Sequence, residues 1–251
     1  MSAVSLYAKP SAGFAAKLLA TQQVLQNAVR AHSPLTQASS LGVEDMVVSH
    51  LLHTLDLPVE IFVLQTGKLH SQTLHLIDVV QTRFTSAQRK LKIYEPDATQ
   101  AMQFVAKNGA MAMRDSIELR KECCDIRKMQ PLAKALAGKG GWITGLRREQ
   151  SDARAEVPEI ETQNVVEGGV AKLRAKVNPL TDWTLGDVWH YVSVNSVPYN
   201  PLHDQFFPSI GCEPCTRAVS VGEDFRSGRW WWESEAAKEC GLHVSTPLAA
   251  V

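Results

Sequence analysis

Val59-Glu-Ile-Phe-Val-Leu-Gln-Thr-Gly-Lys68 decides how this chain folds. From Val59 to Leu64 the run is almost wholly apolar, β-branched and aromatic, without the alternation of a strand that has one wet face. A strand buried on both faces of a parallel sheet reads this way. Gln65-Thr-Gly-Lys68 then breaks the strand at its C-terminal end. Working outward, helical periodicity covers about Ser71 to Phe84, Leu91 to Tyr94 is a further strand ended by Glu95-Pro96, and Thr99 to Asn108 is another helix. A helix over about Arg127 to Leu136 precedes a strand at Trp142-Ile-Thr-Gly145. Upstream, an amphipathic helix from about Gly13 to Ala31 ends before Pro34. Leu35 to Ser39 is a short strand that runs into Ser39-Ser-Leu-Gly-Val-Glu-Asp45 and an apolar helix from Glu44 to Leu55.

Strands alternating with helices predict an α/β fold with a doubly wound, mostly parallel sheet. Ligands of such sheets sit beyond the carboxyl ends of the strands. The loops 39–45, 65–70 and 145–154 should therefore meet on one edge. A Ser-Gly turn between strand and helix can cradle phosphate with its amides, although it is also an ordinary helix cap. Between 151 and 176 charges scatter around Gly168-Gly169, which predicts an irregular excursion. Thr184 is placed to cap a helix containing Val188, Trp189 and Val192. The expectation is a single domain over 1–251, with a nucleotide-binding core at 35–195 and an irregular C-terminal segment at 196–251.

The 251 residues are 45% apolar and 21% charged, with Lys plus Arg and Asp plus Glu balanced at 26 each, an ordinary globular composition. Nothing global favours a nucleic-acid partner. Locally, Arg147, Arg148, Arg154, Arg217, Arg226 and Arg229 gather among glycines in the second half, which suits a small anion. No apolar run reaches the roughly 20 residues of a membrane span, and the first residues lack a secretory pattern. The expected location is cytoplasmic, where paired cysteines read as metal-binding or catalytic rather than as disulfides.

Five cysteines are present. Cys123 and Cys124 are adjacent, and Cys212 and Cys215 form a Cys-x-x-Cys turned by Gly211 and Pro214. Four thiolates can hold zinc or an iron–sulfur cluster. The adjacent pair reaches a single small ion poorly, which tilts the balance towards a cubane cluster; buried free thiols are the bland alternative. Cys240 stands apart in a polar, glycine-containing segment, a candidate nucleophile if its thiol is reactive and otherwise a small surface residue.

Several motifs together resemble the assimilatory adenylyl-sulfate reductases. They are Ser39-Ser-Leu-Gly-Val-Glu-Asp45, Glu122-Cys-Cys-Asp-Ile-Arg-Lys128, Gly145-Leu-Arg-Arg-Glu-Gln-Ser151 and Asn178-Pro-Leu-Thr-Asp-Trp183. Val197-Pro-Tyr-Asn-Pro-Leu-His203, Ser209-Ile-Gly-Cys-Glu-Pro-Cys-Thr-Arg217, Gly228-Arg-Trp-Trp-Trp-Glu233 and Glu239-Cys-Gly-Leu-His243 follow in the same order. The resemblance implies a Rossmann-like, adenine-nucleotide α-hydrolase-like fold, one [4Fe–4S] cluster and thioredoxin as electron donor. It implies Cys123, Cys124, Cys212 and Cys215 as cluster ligands and Cys240 as nucleophile. Phosphosulfate contacts fall to Lys128, Arg154, Arg226, Arg229 and His243, with Ser39 and Ser40 in the first loop. Thr66, Gly67 and Gly145 fall near the adenosine. Arg147 and Arg148 are alternatives to Arg154, and the oligomeric state, a homo-oligomer included, stays open.

The chain departs from that pattern twice, with Gln65 where the family usually has Asp, and Phe206-Phe207 where Gly-Tyr is expected. The implied reaction is thioredoxin-dependent reduction of adenosine 5′-phosphosulfate to sulfite and AMP through an S-sulfocysteine at Cys240. One rival is a reductase of the 3′-phosphorylated nucleotide, a sister group that usually lacks both cysteine pairs. Another is an ATP pyrophosphatase, whose fuller Ser-Gly-Gly-x-Asp-Ser loop is missing. A zinc-stabilised binding module would leave Cys240 and the arginines without a purpose.

Overall fold

A computed structural model describes residues 2–220 and 222–234. Six strands make one sheet in the order β3-β2-β1-β4-β6-β5. They are β1 (Leu35–Ser39), β2 (Glu60–Leu64), β3 (Leu91–Tyr94), β4 (Gly141–Ile143), β5 (Ile160–Glu167) and β6 (Val170–Val177). Every neighbouring pair is parallel except β5 with β6. The helices are α1 (Ala3–Tyr7), α2 (Phe14–His32), α3 (Val43–Thr54), α4 (Ser71–Arg83), α5 (Ala98–Asn108), α6 (Ile117–Cys124), α7 (Gln130–Leu136) and α8 (Leu185–Asn195). The doubly wound, mostly parallel sheet expected from the sequence is present, and residues 196–220 and 222–234 are turns, isolated bridges and short 3-10 segments.

Two apolar layers enclose the sheet, as a parallel sheet requires. One joins Val47, Leu51 and Leu52 of α3 to Ile61, Val63 and the α8 residues Val188 and Trp189. The other packs Phe62 and Trp142 against Leu132 and Leu136 of α7. A third, smaller cluster lies off the sheet and gathers Phe104, Met113 and Trp230 around Cys123, Cys212 and Cys215.

The expected irregular excursion at 151–176 is instead largely a β-hairpin. Gly168 and Gly169 have φ of +57° and +78°, the left-handed backbone that a two-residue hairpin turn demands. The strand pattern was hidden because buried positions of β6 carry Arg174 and Lys176, neutralised by Glu167 and Glu161 of β5. A second difference lies at 117–136. The helix expected from Arg127 begins ten residues earlier, at Ile117, where Ser116 caps it by accepting from the Leu119 amide. Its first turns are rich in Glu, Arg and Lys, which masks their periodicity. A π-turn at Asp125–Met129 links α6 to α7; such turns concentrate at functional sites.

Candidate active site

β1 and β4 are neighbours in the sheet, yet β2 lies on one side of them and β6 on the other. This is the topological switch point, where chain reversals open a crevice. The loops after β1, β2 and β4 meet there around a cleft of about 200 Å³. Its floor is tightly built. The Asp45 carboxylate accepts from the Ser40 amide at 2.7 Å and from the Ser40 hydroxyl at 2.6 Å, and it also meets the Gly145 backbone. A Cβ on Gly145 would stand 2.6 Å from Asp45 Oδ1 and 3.0 Å from its backbone nitrogen, so only glycine lets β4 approach α3 this closely. Burial pushes the Asp45 carboxyl up to about 6. Next to it, burial also pushes Glu44 up, but Arg147, Gln150 and the Glu44 backbone amide outweigh it and hold the carboxyl low.

The lining of the cleft is of two kinds. Phe62, Leu64, Leu132 and Trp142 line an apolar slot, whereas Lys128, Arg154, Arg226 and Arg229 supply cationic lining. Arg147 and Arg148 are engaged elsewhere. Arg147 is buried against Glu44, with Nη2 at 2.9 Å, and Arg148 pairs with Asp182 and the Val157 carbonyl. Arg154 is the one of the three that lines the cleft, donating to Gln150 at 2.6 Å. Arg229 lies flat on Gly211, where a Cβ would stand 2.6 Å from its Cζ, and 4.6 Å over the Trp230 ring.

Of the nucleotide-contact candidates, Ser39, Ser40, Thr66, Lys128, Gly145, Arg154, Arg226 and Arg229 all line this cleft. Gly67 does not; it forms the adjoining turn at φ +72°, packed against Arg127. Cys240 and His243 lie outside the described residues. Sequence reasoning passed over Glu44, Asp45 and His203, which also line the cleft, and Arg127, which donates to the Thr66 carbonyl at 2.7 Å. Glu44, Asp45, Arg127 and His203 sit inside motifs already singled out, but the partners of Glu44 and Arg127, which are Arg147 and Thr66, lie far off in the chain.

The four remaining cysteines surround a second, smaller cavity with Met113, Trp230 and the cations Lys68, Arg127, Lys128 and Arg229. Cys123 and Cys124 end α6 immediately before the π-turn. Backbone pairing brings Cys212 to Leu69, with the Glu213 amide donating to the Lys68 carbonyl at 2.8 Å. The Thr66 hydroxyl lies 3.2 Å from Cys212 Sγ. All four thiols are free of disulfides. Lys128 and Arg229 line both cavities.

The donor set fits a sulfur-bound inorganic cluster. Burial and the neighbouring Cys212 and Cys124 push the Cys215 thiol up to about 12, so a positive guest is needed before the whole set can ionise. Burial likewise raises Cys212, but Lys128 and the Thr66 hydroxyl reverse that and leave it lowered. The buried Trp230 indole N–H finds no acceptor among the described residues, and sulfide or thiolate sulfur in this cavity would be one. Among the described residues no three His, Cys, Asp or Glu side chains converge on a single metal ion.

Residues 34–218 match the phosphoadenosine phosphosulfate reductase domain. The chain belongs to that family. Among family members, adenosine 5′-phosphosulfate reductase of Burkholderia cepacia is 47% identical over 232 residues, 92% of this chain and 89% of the relative. The namesake from Allochromatium vinosum is 44% identical, spanning 88% of this chain and 83% of its own. The crystal structure of phosphoadenylyl-sulfate reductase from Candida auris, a phosphate complex, superposes with a TM-score of 0.63 at 28% identity, covering 80% of this chain and 90% of that one. FMN adenylyltransferase of Candida glabrata shares the fold alone, with a TM-score of 0.54 at 14% identity over 99% of this chain and 82% of that one. The family's sheet thus carries its switch-point cleft here between an acidic, hydrogen-bonded floor and a cationic wall backed by cysteines.

Proposed function

We propose that this protein reduces adenosine 5′-phosphosulfate to sulfite and AMP in sulfate assimilation, with thioredoxin as the electron donor, in the cytoplasm. The observation that carries this reading is the shared wall: Lys128 and Arg229 face the cleft on one side and the four cysteines on the other. An apolar slot next to four cationic side chains suits a flat base joined to a doubly anionic anhydride.

In the proposed reaction adenine occupies the slot of Phe62, Leu132 and Trp142, and the ribose lies towards Thr66 and Gly145. Lys128, Arg154, Arg226 and Arg229, with Ser39, Ser40 and His243, hold the phosphosulfate and offset the charge that grows on the departing phosphate. The Cys240 thiolate attacks sulfur, the sulfur–oxygen bond to phosphate breaks, and AMP leaves with that electron pair. The product on the enzyme is an S-sulfocysteine. A thioredoxin thiolate then attacks Cys240 Sγ, releasing sulfite as the leaving group. The second thioredoxin thiol resolves the mixed disulfide, so that thioredoxin ends oxidised and Cys240 reduced. Cys123, Cys124, Cys212 and Cys215 would hold a [4Fe–4S] cluster, whose service is to anchor the wall that carries Lys128 and to tune its field.

The test is an anaerobic assay of the purified protein with reduced thioredoxin and either nucleotide. Sulfite from adenosine 5′-phosphosulfate is expected, and sulfite from the 3′-phosphorylated nucleotide alone would overturn the substrate. Cys240→Ser should keep the visible absorbance of the cluster and lose sulfite formation, whereas Cys123→Ser should lose the absorbance.

A further inference from the structure

His203 is the feature that the proposed reaction leaves unused. It sits in the short turn Pro201–Gln205, lines the main cleft and is only 7% exposed. The turn is held from both sides. Asn200 caps it by accepting from the Leu202 amide, and its own amide group donates to Thr73 of α4 at 2.8 Å. Asp204 accepts from the Ala3 amide at 2.7 Å, which ties the turn to α1. The imidazole packs edge-on against Trp189 at 5.3 Å and meets the Phe207 backbone. Its Nε2 is buried with no hydrogen-bond partner among the described residues. Buried polar atoms are nearly always paired, so a rigidly held, orphaned nitrogen beside an anion-binding cleft points to a ligand atom.

We propose that His203 is a substrate-binding residue whose Nε2 meets an anionic oxygen of the nucleotide, and that the ring takes up a proton from solvent as that oxygen arrives. The groups around the ring make this consistent. Glu44 and Asp45 of α3 line the same cleft, Asp204 lies on the same turn, the Tyr199 ring stands 6.4 Å from the imidazole, Tyr7 of α1 shares a small neighbouring cavity with it, and Arg226 lines the cleft. Burial holds the free ring below the ordinary histidine range, against the opposing pull of Glu44 and Asp204. The free protein therefore keeps a neutral ring near neutral pH. An added negative oxygen at Nε2 tips that balance and gains a charge-assisted hydrogen bond.

The inference rests on the proposed nucleotide site, and AMP is the probe because it binds without turnover. Calorimetry of the cluster-loaded protein at pH 7 in two buffers of different ionisation enthalpy should show proton uptake on AMP binding. His203→Phe keeps the ring packing without the nitrogen. It should fold at least as stably as the native protein, bind AMP about tenfold to a hundredfold more weakly and lose that proton uptake. His203→Gln should recover part of the affinity but none of the uptake. Native affinity or undiminished uptake in His203→Phe overturns the inference alone. Failure of the native protein to bind AMP overturns the nucleotide site and the inference with it. Should neither variant fold, histidine NMR of the native protein decides, since the absence of any ring converting to imidazolium on AMP addition would overturn the inference.

Discussion

The Thr66 hydroxyl lies 3.2 Å from the sulfur of Cys212 and also accepts the Lys68 amide at 3.2 Å. One side chain thus joins the loop after β2, which lines the switch-point cleft, to the Cys-x-x-Cys segment. Thr66→Val keeps the shape and removes both contacts. Each such hydrogen bond is worth about 1 kcal/mol, so the variant should unfold about 1–2 kcal/mol more easily. AMP affinity should fall several-fold while the four cysteines stay in place. Denaturant titration and calorimetry check both, and unchanged AMP affinity would detach the two sites from each other.

Gly211→Ala addresses the cationic wall without touching a thiol. The added methyl carbon would stand 2.6 Å from Arg229 Cζ and Nη2, so the guanidinium must move off its place above Trp230. Losing one charge-assisted contact predicts a KM for adenosine 5′-phosphosulfate raised about tenfold to a hundredfold. Visible absorbance should be unaltered. Steady-state kinetics beside an absorption spectrum separates this outcome from a collapsed cysteine cavity.

Asp45 gives a pH-dependent outcome. Burial raises its carboxyl from the ordinary aspartate range to about 6. The folded state therefore binds a proton in a window where the unfolded chain does not, and this group adds stability as pH falls through 6 towards 4. At pH 7.5 the buried charge is a cost that Ser40 and Gly145 only partly offset. Asp45→Asn should raise Tm at pH 7.5, with the gain fading by about pH 5 and vanishing near 4. A Tm difference that grows on acidification would contradict this sign.

Phe206, one of the two departures in the sequence, has φ +63° and closes the His203 turn. That left-handed backbone costs a side-chain-bearing residue roughly 1–2 kcal/mol, which is why glycine suits the position. Phe206→Gly should be neutral or stabilising by up to about 1 kcal/mol once its greater unfolded-state freedom is counted. Phe206→Val, branched at Cβ, should destabilise by at least about 1 kcal/mol. Thermal unfolding of both variants measures the difference.

Legibility in the sequence followed the physics of each element. β2 stands within a residue of where its apolar run places it, because Ile61, Phe62 and Val63 are buried by their own apolar side chains. The hairpin β5–β6 was hidden because its buried Arg174 and Lys176 are neutralised across the ladder by Glu167 and Glu161, and a polar residue reads as exposed until its partner is known. The same holds for the site. The cysteines announce themselves by type and spacing and Arg226 and Arg229 by clustering among glycines, whereas Lys128 is marked only by the family resemblance. Glu44, Asp45 and His203 acquire meaning only from burial and from neighbours that the fold supplies, Arg147 for Glu44, Gly145 for Asp45 and Trp189 for His203.

The sheet also implies an order of assembly. Every parallel ladder joins segments separated by a crossover, and the β1–β4 ladder pairs Leu35 with Gly141 across β2, β3 and the helices between them. The hairpin alone is sequence-local, closed by two residues from Glu167 to Val170. Loop-closure entropy opposes distant pairings most. The hairpin should therefore form early, and the β1–β4 seam, on which the switch-point cleft depends, should close late. A folding intermediate with hairpin amides protected from exchange would then exist before the molecule could hold a nucleotide at all.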